Sequence, residues 1–434
     1  MWILVSLLVI AVSLVVLGRQ MRALGGDQLS RAVILLIWVR FALTALGEPA
    51  LRSVVAGQSI LALGTFIAVM VVMFLVPLDC LRQPRLMPFA AMVAVLLLSA
   101  VFNGQLGALL NTGTLWIMLI VIAVLIRRAL RIHGNRAVLR CLLAVFALPI
   151  GVQFAAVLLG RSQIGLDGSV SFIGNYVHEA VFSTVVLCAV WLVTVYPWRN
   201  RWWLLLAFVV VMCAMILANY RTLILACLPS LIVLILLMTA NGQNRWPVMP
   251  LIGGLALALA AVTLLPLDRF SELGLIVGQL SDLAKPAQEF SAAEKDLLSA
   301  RIYIGAAYLE EYAQADLVRH LVGFGPAVDT KFIGTHPHNE FLRILFETGL
   351  VGLILWIGIV GSLLRAALRH APRPANVVLA SGYGALTIGS LGTSFLIRPE
   401  GIIFVALLVA VTWHLTERQP ERRARRRMQP AASR

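Results

Sequence analysis

Residues 115–131 read Leu115-Trp116-Ile117-Met118-Leu119-Ile120-Val121-Ile122-Ala123-Val124-Leu125-Ile126-Arg127-Arg128-Ala129-Leu130-Arg131. Twelve consecutive apolar residues give way to three arginines within five positions. Extended back to Ala108, the uncharged run is 19 residues long, close to the roughly 20 that an α-helix needs to cross a bilayer. An arginine cluster at one end of such a run marks the side on which the helix stops.

The pattern recurs along the chain. Apolar runs fall at 2–17, 32–47, 54–76, 87–102, 108–126, 137–159, 178–196, 202–218, 222–240, 248–265, 340–364, 376–396 and 401–416. These predict thirteen spans, or twelve if one of the shorter runs does not cross. The first run has no basic segment before it and no clear small-residue cleavage site, so it reads as a retained helix.

Composition agrees. Of 434 residues, 60% are hydrophobic and 13% charged, where a soluble domain is nearer half apolar and a quarter charged. A soluble globule of this make-up would expose more apolar surface than monomers tolerate. Soluble enzymes, disordered chains and nucleic-acid-binding modules are excluded, leaving an all-α polytopic membrane protein. The formal net charge of +15 sits in short segments between apolar runs, which points to membrane orientation and not to nucleic acid. Cys80, Cys141, Cys188, Cys213 and Cys227 lie in or at the ends of apolar runs, without metal-ligand spacing, and read as small packing residues.

Arginine alternates between successive loops. One set carries Arg19, Arg22 and Arg31; Arg82 and Arg85; Arg127, Arg128, Arg131 and Arg136; Arg199 and Arg201; Arg245; and Arg365, Arg369 and Arg373. The tail adds Arg418, Arg422, Arg423 and Arg425 to Arg427. Excess Arg and Lys marks the cytoplasmic side, so this set is expected inside and the N-terminus outside. Only one opposite loop is long, 266–339, and it holds all three lysines and ten of the twenty acidic residues. The expected organisation is a bundle of about ten helices over 1–265, an external loop over 266–339, further spans over 340–416 and a basic cytoplasmic tail over 417–434. Within the loop, Leu297, Leu298, Ile302, Ile304, Ala307, Tyr308 and Leu309 recur at helical spacing. They predict one or two amphipathic helices, ended by Gly323, Gly325 and Pro326.

Two features carry chemistry. The first is the set of arginines that runs against the charge trend: Arg161, Arg221, Arg301 and Arg398 on the external side, and Arg40 inside an apolar run. One such residue alone is explained by snorkelling or by pairing with Asp167, Glu179 or Glu400. A cluster suits phosphate, because the planar guanidinium makes bidentate hydrogen bonds and keeps its charge. The second is Thr335-His336-Pro337-His338-Asn339-Glu340, running into Phe341-Leu342-Arg343-Ile344-Leu345-Phe346-Glu347-Thr348-Gly349-Leu350-Val351-Gly352. A histidine at the membrane edge is commonly a helix cap, yet it titrates near neutrality and can take a proton from a hydroxyl. Arg343 and Glu347, four apart, can pair; Gly349 and Gly352 allow close helix contact.

The run His338-Asn339-x-x-Leu342-x-x-x-x-Glu347-x-Gly349-x-x-Gly352 resembles the signature of the O-antigen ligase and O-antigen polymerase superfamily. Tyr220-Arg221-Thr222 is similar to that superfamily's Ser-Arg-Thr/Gly element, Ser299-Ala300-Arg301 to its Ser-Gly-Arg, and Gly323-Phe324-Gly325-Pro326 to its Gly-x-Gly-Pro. The resemblance is close from Arg221 to Gly352 and elsewhere rests on the many-span layout. It implies a bacterial inner-membrane enzyme that transfers a glycan from undecaprenyl diphosphate, with inversion, on the periplasmic face. The acceptor is a sugar hydroxyl, on lipid A–core for a ligase or on another lipid-linked glycan for a polymerase. His338 is the expected base; Arg221, Arg301 and Arg161 hold the diphosphate; Asn339, Glu347, His336, Arg343 and Arg398 support them. No Asp-x-Asp occurs, so neither metal nor other cofactor is expected, and membrane lipids are the surroundings. A ligase is favoured because only one sizeable external loop is present. A protein O-oligosaccharyltransferase of the same superfamily remains open. So does a transporter for the lipid-linked glycan, although the sequence has no repeated halves of the kind transporters carry.

Overall fold

The computed structural model describes residues 2–55, 58–165, 169–239, 285–291, 295, 300–327 and 334–428, the last eleven of these by backbone alone. Eight helices among them are long and apolar enough to cross a membrane. The expected span at 248–265 lies outside the described residues, as do Asp167, Leu297 and Leu298.

The first half runs through α1 (Trp2–Met21), α2 (Gln28–Ala45), a turn of helix α3 (Glu48–Leu51), α4 (Ile60–Leu75), α5 (Leu78–Leu81), α6 (Met87–Phe102) and α7 (Leu106–Leu158). It continues with α8 (Glu179–Val195), α9 (Arg201–Ala218), α10 (Arg221–Ala226) and α11 (Leu228–Thr239). The second half holds α12 (Arg301–Ala313), α13 (Leu317–Val322), α14 (Glu340–His370), α15 (Ala375–Ser390) and α16 (Pro399–Met428). Two short antiparallel hairpins, Ser53–Val55 with Gln58–Ser59 and Gln163–Ile164 with Val170–Ser171, sit in loops.

A helix that is apolar all round belongs in the middle of a bundle. α8 and the first half of α16 are such segments: every residue from Phe182 to Thr194 and from Ile402 to Thr412 is buried. α1 is equally apolar but lies at the rim, with Leu4 and Leu8 about two-thirds exposed, as expected of a helix that faces lipid.

α7 contains 53 residues. Unbroken, it would extend roughly 80 Å at 1.5 Å per residue, far more than a bilayer's apolar core of about 30 Å. It breaks at Gly134 (φ 78°), which divides it into two spans. The arginines expected in a loop there, Arg127 to Arg136, are instead helical on either side of this glycine. Hydrogen-bonded helix continues past the membrane edge while the long arginine stems reach polar surroundings.

Contacts between connecting segments keep the two loop sets apart. At the arginine-rich end Asp27 caps α2 and accepts from Arg128 Nη1 at 2.8 Å. Burial raises its pKa, but hydrogen bonds from Ser30, Arg128 and His133 outweigh that and hold the carboxyl well below the usual range. Arg127 reaches Glu417 (2.7 Å) and His414 reaches Asn135 (2.7 Å) at the same end. At the opposite end Trp2 donates to Asn175 (2.5 Å), Asn219 to the Val170 carbonyl (3.1 Å) and Asn103 to the Gly323 carbonyl (3.1 Å).

The long loop contributes the expected amphipathic helices. Ile304, Tyr308 and Tyr312 of α12, four residues apart, bury one stripe against Phe324 and Phe346, as helical spacing requires. Leu309 is not on that stripe and is 53% exposed.

Candidate functional site

The site is built around the junction of the long loop with α14. Asn339 is the helix cap: its side-chain oxygen accepts from the backbone N–H of Phe341 (3.0 Å) and Leu342 (3.1 Å). The capping role available to a membrane-edge histidine is therefore taken by its neighbour. His338 adopts φ 48°, a left-handed conformation that non-glycine residues rarely hold and that recurs at functional sites. Tyr308 of α12 fixes the segment before it, donating to the Thr335 carbonyl at 2.6 Å.

His338 lines a pocket of about 60 Å³ with His336, His178, Thr393, Arg398 and Glu400. Burial, then the positive charge of Arg301, then His178 and His336 lower its pKa to about 4. At neutral pH the imidazole is uncharged and can accept a proton.

Arg301 is the first residue of α12. Its Nη1 donates to Thr222 Oγ1 (2.8 Å) and its Nη2 to the Tyr220 phenol (2.9 Å). Tyr220 in turn donates to the Gly392 carbonyl at 2.6 Å. The residue before Arg301, Ala300, has φ 64°, a conformation that costs an alanine roughly 1–2 kcal/mol and that glycine adopts freely. Arg221 opens α10 between Tyr220 and Thr222, so the two segments carrying Arg221 and Arg301 meet. The expected turn at 219–221 is shorter than read: Asn219 (φ 56°) ends α9 and α10 starts two residues later.

Arg343 and Glu347 pair as expected, and a second carboxylate, Glu340, joins them. All three are buried. Glu340 also accepts from the Leu396 N–H (3.2 Å) and Glu347 from the Ala327 N–H (3.2 Å), so all four carboxylate oxygens are occupied. Gly349 has φ 66° and breaks α14. The carbonyls freed at Phe346 and Glu347 accept from the N–H groups of Phe324 (2.8 Å) and Gly325 (3.2 Å). Ser99 adds a hydrogen bond to the Glu347 carbonyl at 2.7 Å. A side chain at Gly349 would overlap the Leu321 carbonyl, and one at Gly323 the Glu347 backbone. The two glycines thus let the loop lie directly on α14, and Gly352 packs against Thr348 of its own helix.

The external arginines separate. Arg398 lines the His338 pocket. Arg161 stacks 4.8 Å from the Trp2 ring and lines neither pocket described here. Arg40 takes Glu400 as its partner, with Nε and Nη2 on Oε1 at 2.9 and 2.7 Å, and Nη1 on Thr65 at 3.2 Å.

A second, larger cavity of about 650 Å³ adjoins the first and shares Val181, Ile397, Arg398 and Glu400 with it. Leu51, Leu61, Leu63, Phe66, Leu110 and Leu115 make its walls mostly apolar.

Neither Glu340 nor the Tyr220 hydroxyl stands out in the sequence. Glu340 was legible in principle, three residues before Arg343 on one helix. Tyr220 was not, because its partners are 81 and 172 residues away.

Residues 206–357 match the protein-family model described as O-Antigen ligase. The matched stretch contains Arg221, Arg301, His336, His338, Asn339, Arg343 and Glu347; His178, Arg398 and Glu400 lie outside it. Comparison with curated proteins finds no match.

Proposed function

From the match of residues 206–357 to the O-antigen ligase family, we propose that this multi-pass membrane protein is the ligase itself. It transfers a glycan from undecaprenyl diphosphate to a sugar hydroxyl of lipid A–core, on the periplasmic face of the bacterial inner membrane. His338 removes the proton of the acceptor hydroxyl as the oxygen attacks the anomeric carbon. The bond to the diphosphate breaks on the opposite face, so the configuration inverts. Arg301, with Arg221 and Arg398, holds the leaving diphosphate, whose negative charge grows in the transition state. Arg161, which lines neither cavity, meets the donor's diphosphate before it reaches the pocket. Arg343, Glu340, Glu347 and Asn339 hold the start of α14 in place. Arginine supplies the countercharge, so the transfer runs without metal.

The observation that carries the reading is a half-buried histidine, its pKa lowered to about 4, in a pocket with Arg398 and within reach of the charge of Arg301. A base must be neutral to act, and a diphosphate needs fixed positive charge. Once the diphosphate offsets Arg301, the histidine becomes more basic, which is when it is needed.

The test is the lipopolysaccharide profile of cells lacking the protein. A ligase leaves lipid A–core bare while polymerised glycan accumulates on its carrier lipid. Core capped by a single repeat unit would instead identify a polymerase, and loss of glycan from proteins alone an O-oligosaccharyltransferase. Purified protein with donor and acceptor retains its activity in excess chelator; loss of activity that magnesium restores would overturn metal independence.

A further inference from the structure

Buried polar groups in folded proteins nearly always have partners. In the Arg343 cluster all four carboxylate oxygens are occupied, and Arg343 Nε is left without a partner among the described residues. The pocket region leaves polar groups open on three separate residues. Glu400 is 1% exposed; Arg40 takes its Oε1, while Oε2 has no partner among the described residues. The Tyr176 hydroxyl and Ser394 Oγ, on residues 4% and 7% exposed, are likewise without partners.

These three groups share one neighbourhood. Ser394 lines the His338 pocket, Tyr176 the larger apolar cavity, and Glu400 lines both. They form a polar seam between the cavities, and the transfer chemistry above uses none of them. Their character selects a ligand. A carboxylate oxygen only accepts hydrogen bonds and repels phosphate, so it does not hold the donor's diphosphate. Burial and the nearby Glu400 push the Tyr176 phenol well above its ordinary pKa, so it keeps its proton and can donate. A sugar hydroxyl both donates and accepts, and a ring carries several.

We propose that Glu400, Tyr176 and Ser394 form the subsite that recognises the acceptor sugar: a ring hydroxyl donates to Glu400 Oε2, and ring or hydroxyl oxygens accept from Tyr176 and Ser394. Arg40 positions Glu400 by holding its other oxygen. The ring then lies beside His338 while the apolar cavity takes the lipid to which it is attached. This assignment rests on the glycosyl-transfer reading.

The test uses the full-length protein in lipid nanodiscs. Deacylated lipid A–core oligosaccharide is the acceptor probe and undecaprenyl-diphosphate-linked glycan the donor. The acceptor KM and the affinity for each probe are measured separately. A hydrogen bond to a charged group is worth about 10- to 100-fold in binding, so Glu400→Gln raises the acceptor KM by about that factor while donor affinity stays within about threefold. Tyr176→Phe and Ser394→Ala each raise it by about three- to tenfold, the loss of one neutral hydrogen bond. These two leave the Arg40–Glu400 pair intact and decide the matter if Glu400→Gln does not fold. Unchanged acceptor KM in both, with wild-type transfer normal, overturns this assignment alone. A wild-type protein that transfers nothing overturns the glycosyl-transfer reading and this assignment with it.

Discussion

Arg301 and Tyr220 are joined twice: the guanidinium donates to the phenol oxygen at 2.9 Å and stands 5.3 Å from the ring centroid. With Thr222 on its other terminal nitrogen at 2.8 Å, the guanidinium plane is held at two points. An ammonium cannot span both partners. Arg301→Lys is therefore expected to lose activity nearly as far as Arg301→Ala, by at least about 100-fold in kcat/KM, the scale of one preorganised donor. Wild-type kinetics in the lysine variant would reduce Arg301 to a structural tie.

His338→Ala is expected to cost roughly 10²- to 10⁴-fold in kcat, the range for removing a general base, with donor binding retained. His336→Ala keeps substantial activity, since the cap and the strained backbone belong to His338 and Asn339. A single-turnover assay on both variants checks this.

The acidic limb of the rate profile follows from the lowered pKa. With His338 at about 4, kcat/KM stays flat down to about pH 5 and falls as the imidazole takes up a proton, where an unperturbed histidine would fall near pH 6.5. Arg301 is one cause of the lowering, and removing a positive neighbour favours the imidazolium. The limb therefore moves upward in Arg301→Ala, measured on its residual activity. A limb that stays near pH 6.5 in the wild type would show that the titrating base is elsewhere.

Gly349→Ala places a side chain at φ 66° against the Leu321 carbonyl. The left-handed conformation alone costs roughly 1–2 kcal/mol, and the overlap adds to it by pushing the loop off α14. Thermal denaturation in detergent should show a lowered midpoint and weaker protection of Phe324 and Gly325 in hydrogen exchange.

Arg343→Met leaves two buried carboxylates without their cation. Removing one partner of a buried pair typically costs about 3–5 kcal/mol, so this variant is expected to be poorly folded. The triple change Arg343→Met, Glu340→Gln, Glu347→Gln recovers stability, because it removes the charges together. Equal melting of the single and triple variants would show that the cluster carries no net electrostatic stabilisation.

The spans were legible because a bilayer demands long apolar runs whatever their partners are. The His338-Asn339 run and Arg301 stood out through their resemblance to a family signature, and Arg301 also through its place against the charge trend. The break at Gly134 was not: the arginines around it read as a loop, since charge marks where the membrane ends and not where the helix does. Arg40 inside an apolar run announced that some partner existed, but choosing Glu400 over Asp167 or Glu179 required the fold, 360 residues along the chain. The partnerless hydroxyls of Tyr176 and Ser394 left no trace in composition or periodicity. Only three-dimensional surroundings distinguish a satisfied hydroxyl from an open one.

The Arg40–Glu400 pair also bears on how the molecule comes into being. Chains are made and settle N-terminal part first, so Arg40 enters the membrane long before its counterion has been synthesised. Until the final helix arrives, the segment 397–401 that walls both cavities is missing. A growing chain that already carries the three pocket histidines and Arg301 therefore lacks one wall of each cavity. Arrival of the helix that begins at Pro399 neutralises Arg40 and completes the walls of both cavities in one event.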